Sequence, residues 1–215
     1  MALFIDRTMK TDLLIKVCGM REPENIRQVI ALGIDMIGFI FYPGSPRYMG
    51  DFSPVSTPGV SRVGVFVNES EEAMLDAARR YSLDTLQLHG DESPDCCARM
   101  RGEGFRVIKA VGVSTRSDLE ATNIYGDVVE LLLFDTRCEG YGGSGNTFDW
   151  TLLNHYCGKI PFLLSGGLSS ESIVGLEHLS NPLLAGVDLN SRFEISPGIK
   201  SVELLKSFID QIRNK

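Results

Sequence analysis

The chain has 215 residues, 43% of them hydrophobic and 23% charged, with a formal net charge of -7. That length fits one domain with a sizeable core, and the acidic balance argues against nucleic acid or an anionic membrane surface as a partner. No stretch reaches the roughly 18 apolar residues of a membrane helix, and the N-terminus lacks the basic start and apolar run of a secretory signal. The expected location is the cytoplasm. The five cysteines (18, 96, 97, 138 and 157) are odd in number, two are adjacent, and none forms a C-x-x-C pair. Reduced thiols are therefore expected, with neither a disulfide framework nor a zinc site.

Residues 1–12 read as an N-terminal extension outside the fold, with Met9 an equally natural start, and 13–215 as one domain. The first apolar run is 14–18, followed by a helix whose first turn holds Pro23. A second run at 36–41 leads into a stretch, 50–59, with two prolines, which predicts an irregular crossover. The third run is 63–67; Ser70 before Glu71 and Glu72 then marks a helix start. A fourth run, 85–89, precedes the cap Ser93 and Pro94. Further runs follow at 106–111, 131–135, 162–165 and 186–190. Leu205, Phe208, Ile209 and Ile212 then share one face of a final helix.

Eight short apolar runs, each with little alternation, suit strands covered on both faces. Their spacing is that of a strand plus a crossover, which predicts an α/β fold, a single (β/α)8 TIM barrel. An open doubly wound sheet is the alternative, but it would place a glycine-rich turn after its first strand. Here such turns come late, after the sixth and seventh runs.

A barrel carries its site at the C-terminal ends of its strands. Alternation puts Leu14, Lys16 and Cys18 on one face, and Leu131, Leu133 and Asp135 on another. Gln87 and His89 end the fourth run inward, the fifth holds Lys109, and the eighth offers Asp188 and Asn190. Cys18 could be a small buried hydrophobe and Asp135 a loop cap. Their places at strand ends point to chemistry instead, with Lys16 expected to lower the thiol pKa. His89 stands between a wall residue and a substrate contact. Lys16 and Lys109 read as interior ion-pair partners, of Asp188 among others.

Ser165-Gly166-Gly167, before a helix start expected near Ser169, can cradle an anion with backbone N–H groups. Asn190-Ser191-Arg192 would complete a phosphate site between the last two loops. Residues 140–145 read as a flexible loop over the site. Arg47, in Ser45-Pro46-Arg47, could bind a second anion with its planar fork or form a surface salt bridge.

These segments together resemble phosphoribosylanthranilate isomerases of tryptophan biosynthesis. The matching pieces include Lys16-Val-Cys-Gly19, Gly38-Phe-Ile-Phe41 with Ser45-Pro-Arg47, Val65-Phe-Val-Asn68 and Gln87-Leu-His-Gly-Asp-Glu92. They continue with Phe134-Asp135, Gly142-Gly-Ser-Gly145 with Phe148-Asp-Trp150, Ser165-Gly-Gly-Leu168 and Gly186-Val-Asp-Leu189. The resemblance implies an Amadori rearrangement of N-(5-phosphoribosyl)anthranilate without a cofactor or metal, by a monomer or homodimer. It implies Asp135 as the acid that opens the ribose ring and Cys18 as the base that removes the C2 proton. The acid then needs a raised pKa and the thiol a lowered one. Arg47 would hold the anthranilate carboxylate, Asp188 a sugar hydroxyl, and residues 165–167 with 190–192 the phosphate. One departure stands out: the family commonly reads Ser-Gly-Val-Glu where this chain has Ser191-Arg192-Phe193-Glu194.

Two related enzymes fit less well. The aminoaldose isomerase of histidine biosynthesis uses paired aspartates, and indole-glycerol-phosphate synthase a Lys/Glu pair. A catalytically silent phosphosugar-binding barrel is opposed by the intact pair Cys18 and Asp135.

Overall fold

A computed structural model of the chain describes residues 13–50, 52–53, 55–136 and 149–214. The extension at 1–12 and the loop at 140–145 lie outside the described residues. Eight parallel strands close into a barrel in chain order: β1 (Leu14–Val17), β2 (Met36–Ile40), β3 (Ser61–Phe66), β4 (Thr85–Leu88), β5 (Arg106–Val113), β6 (Leu131–Thr136), β7 (Phe162–Leu164) and β8 (Leu184–Leu189). The barrel closes where β8 meets β1, with Lys16 opposite Asp188. Among the described residues no helix is long and apolar enough to cross a membrane.

The apolar runs form strands because both faces are buried. Met36, Val63, Ile108, Ala110, Leu131, Leu133 and Leu163 fill the barrel interior. Their outward neighbours, such as Ile37, Val107, Leu132 and Phe162, join a larger layer beneath the helices. Ile108 and Ala110 face inward, so Lys109 between them faces outward. This corrects the expected interior place of Lys109: it pairs with Glu92 at 3.2 Å and donates to the Leu88, Gly90 and Ala110 carbonyls. Lys16 is the interior lysine, paired with Asp188 at 2.8 Å.

The helix signals are used where they were read. In α1 (Pro23–Ile30) proline opens the first turn and Glu22 caps it. In α2 (Glu71–Tyr81) the Ser70 hydroxyl accepts from Ala73 N–H, and in α3 (Pro94–Gly102) Ser93 accepts from Cys96 N–H. Helix α4 (Arg116–Ala121) follows β5, and the last helix, α6 (Val202–Arg213), buries Leu205, Phe208 and Ile209.

Three crossovers depart from the regular scheme, and in the one from β6 to β7 the described residues hold only a 3-10 helix, Trp150–His155. Between β2 and β3 the described residues contain no helix. There the Arg62 guanidinium lies over the Phe39 ring and donates to Tyr81 O and Thr57 Oγ1. After β7 the helix expected near Ser169 starts only at Ile173. Ser169 N–H is instead taken by the Ser172 hydroxyl at 2.8 Å, leaving α5 (Ile173–Glu177) short. An unanticipated pair of strands, β9 (Glu194–Ser196) and β10 (Ile199–Lys200), forms a hairpin before α6.

Candidate active site

The strand ends converge on an open cleft, the concave place where a barrel of this kind carries its site. Cys18, Gln87, His89, Asp135, Ser165, Gly166, Gly167, Asp188, Asn190 and Ser191 all line it. Most of the residues singled out from the sequence are therefore brought together. Arg47 and Arg192 are not among the lining side chains, although Ser45 and Ser191 beside them are.

Cys18 follows β1 and is held by its backbone. Its N–H donates to Leu189 O at 2.9 Å, and the next two N–H groups converge on Gly38 O. Gly38 also makes room for the thiol: a Cβ there would lie 2.8 Å from Sγ. Gly19 turns the chain with φ of +74°, and a Cβ there would meet Arg47 Cδ at 2.7 Å and Asn190 Oδ1 at 2.9 Å. Glycine is required at that position on both counts.

Below the sulfur, Lys16 Nζ donates to Asp188 Oδ1 at 2.8 Å. Burial opposes the ammonium, but Asp188 and Cys18 together outweigh it and raise the lysine pKa. The expected lowering of the thiol pKa is corrected. Burial pushes the Cys18 thiol up by more than Lys16 and Lys200 pull it down, and Asp188 adds to the rise. The cation read from the sequence is present, but the wall that positions it also strips water from the sulfur.

Asp135 is placed differently. Oδ1 accepts from Thr136 N–H at 2.7 Å, and Oδ2 lies 3.6 Å from His89 Nε2. Both side chains remain partly open, at 20% and 24% exposure. Gln87 Nε2 lies 2.9 Å from His89 Nδ1. With that amide donating, Nδ1 accepts and the ring proton sits on Nε2, facing Asp135. Gln87 Oε1 is buried without a hydrogen-bond partner among the described residues.

Next to the carboxylate, Gly166 and Gly167 both have positive φ, +83° and +72°. A Cβ on Gly166 would come within 2.4 Å of Thr136 Oγ1 and 2.8 Å of Asp135 Oδ1. The glycine turn and the carboxylate are thus packed as one unit.

Arg47 turns to Glu194, with three contacts of 2.7–3.0 Å. Arg192 is exposed in the short 3-10 helix Ser191–Phe193. Glu194 and Lys200 were not picked out from the sequence as functional. The Pro197-Gly198 turn signal between them could have revealed the hairpin that brings them together.

The chain matches the family described as N-(5'phosphoribosyl)anthranilate (PRA) isomerase over residues 15–211. A Parabacteroides distasonis protein named N-(5'-phosphoribosyl)anthranilate isomerase is 49% identical over 207 residues, which cover 93% of each chain. The crystal structure of phosphoribosyl anthranilate isomerase from Thermotoga maritima superposes with a TM-score of 0.81 at 36% identity, covering 95% of this chain and 100% of that one. A structure of such an isomerase in complex with reduced 1-(o-carboxyphenylamino)-1-deoxyribulose 5-phosphate gives a TM-score of 0.78 at 34% identity, with the same coverage.

Proposed function

The chain belongs to the N-(5'-phosphoribosyl)anthranilate isomerase family, and we propose that its Cys18 and Asp135 are the base and acid of the family's reaction. The enzyme catalyses the Amadori rearrangement of N-(5-phosphoribosyl)anthranilate to 1-(2-carboxyphenylamino)-1-deoxy-D-ribulose 5-phosphate, a step of tryptophan biosynthesis.

One observation carries the residue assignment: a thiol and a carboxyl from β1 and β6 line the same cleft as the glycine turn after β7. In the first step the Asp135 carboxyl gives its proton to the ribose ring oxygen. The C1–O bond breaks, and the nitrogen lone pair forms an iminium. In the second step the Cys18 thiolate takes the C2 proton, and the C2–H electrons neutralise the iminium to an enolamine. Protonation at C1 and loss of the hydroxyl proton at C2 then give the ketone. The iminium is the electron acceptor, so the residues need only move protons. Its positive charge also favours the thiolate that Cys18 must become, offsetting the upward push of burial.

Ser165, Gly166, Gly167, Asn190 and Ser191 hold the phosphate, with the long arm of Arg192 at its rim. Asp188 takes a sugar hydroxyl, His89 contacts the substrate beside Asp135, and Arg47 holds the anthranilate carboxylate. The enzyme acts in the cytoplasm as a monomer or homodimer. Residues 13–215 form the catalytic domain, with 1–12 an extension to it.

Loss of anthranilate fluorescence on mixing substrate with purified protein tests the assignment. Wild type turns over without added metal or nucleotide. Cys18→Ala and Asp135→Asn each lose on the order of 10²–10⁴ in kcat. Near-normal turnover by both variants would remove these residues from the chemistry.

A further inference from the structure

Arg47 is bound in a way that determines which part of it remains usable. Its Nε donates to both Glu194 oxygens at 2.9 and 3.0 Å, and its Nη2 to Oε2 at 2.7 Å. Glu194 therefore takes the side edge of the guanidinium. Nη1, at the end of the fork, donates to none of the described residues. A planar guanidinium can take one carboxylate side-on and a second end-on.

Glu194 is itself fixed. Its side chain is 4% exposed, and Oε1 also accepts from Lys200 Nζ at 2.6 Å and Gly198 N–H at 3.1 Å. Lys200 is fully buried, with a second bond to Asn190 Oδ1 at 2.7 Å. Its backbone is locked to Asn25 of α1 by a reciprocal pair, with N–H donating to Oδ1 and the carbonyl accepting from Nδ2. Two cations thus share one carboxylate. The cluster keeps one uncompensated positive charge beside the cleft, between the lining residues Ser45 and Asn190.

We propose that Glu194 and Lys200 are positioning residues that hold Arg47 side-on, so that its free end edge receives the aryl carboxylate of the substrate. The excess positive charge selects for that carboxylate over an uncharged aglycone. This rests on the assignment of Arg47 to the anthranilate carboxylate. The glutamate is not in contact with the reacting atoms; its work is to stop the long arginine arm from sampling other rotamers. A lysine at position 47 could not substitute, because an ammonium has no second edge to offer.

The test is steady-state kinetics of full-length Glu194→Gln, Arg47→Lys and the double variant, read as KM against kcat. Glu194→Gln should raise KM on the order of tenfold and leave kcat within about threefold. Inhibition by inorganic phosphate, whose proposed site shares only Asn190 with this cluster, should change far less than KM. Arg47→Lys should raise KM at least as much, and the double variant no further, because the two residues act on one contact. If Arg47→Lys leaves KM unchanged, the assignment of Arg47 to the carboxylate fails. If Arg47→Lys raises KM while Glu194→Gln does not, the positioning role fails and the assignment stands. Equal weakening of inorganic phosphate inhibition in Glu194→Gln would show a general disturbance of the mouth and overturn the proposal. Should Glu194→Gln not fold, Glu194→Asp is read the same way. It keeps the charge but shortens the arm, so it must raise KM as well.

Discussion

Cys18 reaches the cleft from a wall of buried charge, and Asp135 from a half-open wall of mostly neutral groups. On the thiol side, Lys16 and Asp188 are paired at 0% and 5% exposure, and Lys200 and Glu194 at 0% and 4%. On the carboxylate side, His89 and Asp135 are 24% and 20% exposed and stand 3.6 Å apart. The difference suits the roles proposed for the two groups. A thiolate that takes a proton from carbon needs desolvation and a fixed approach. A carboxyl that gives its proton to a ring oxygen must regain one each turnover, and an open side helps that exchange.

The contrast is broken most severely at its buried end. Lys16→Met leaves Asp188 uncompensated in the interior and should cost about 3–5 kcal/mol of stability, measured by urea unfolding. Lys16→Met with Asp188→Leu replaces both charges and should recover most of that loss. A double variant as unstable as the single one would mean that packing, rather than charge, holds this wall.

Gly166→Ala tests the junction between the glycine turn and Asp135. The positive φ and the contacts a Cβ would make with Thr136 and Asp135 should together cost about 1–3 kcal/mol. Because the strain falls on the carboxylate, kcat should drop along with Tm. Unchanged kcat would show that the carboxylate is not coupled to the turn.

The raised Cys18 thiol gives a pH prediction. Thiolate formation at Cys18 in the free enzyme, followed as the ultraviolet absorbance that Cys18→Ala lacks, should therefore still be rising at pH 9, the ordinary thiol value. A profile level from pH 7 upward would place the thiol on the other side of that value. The smallest effect is expected on the open side. Gln87→Leu removes the partner of His89 Nδ1 but also a buried unpaired oxygen, so stability should change by about 1 kcal/mol or less. A loss of several kcal/mol would mean that the acid side is built as rigidly as the base side.

Much of this was legible in the sequence. Strands buried on both faces leave uninterrupted apolar runs, and a polar residue ending such a run, as at Cys18, His89 or Asp135, is visible without a structure. The phase of the alternation was right for β1 and β6 and misplaced for Lys109, because a single lysine in an apolar run does not say which face it takes. The Arg47–Glu194 pair links positions 147 residues apart, and no local pattern joins them. The direction of the thiol shift was out of reach for another reason. It depends on the balance of burial against two lysines, and a sequence reports the charges but not the water they displace.

The measurement closest to the central claim compares binding with turnover in Cys18→Ala and Asp135→Asn. Affinity for reduced 1-(o-carboxyphenylamino)-1-deoxyribulose 5-phosphate, followed by titration, should stay within a few fold of wild type in both (about 1 kcal/mol). Meanwhile kcat should fall by about a hundredfold or more. If affinity falls as far as kcat does, or if turnover survives in either variant, the division of proton transfer between Cys18 and Asp135 is contradicted.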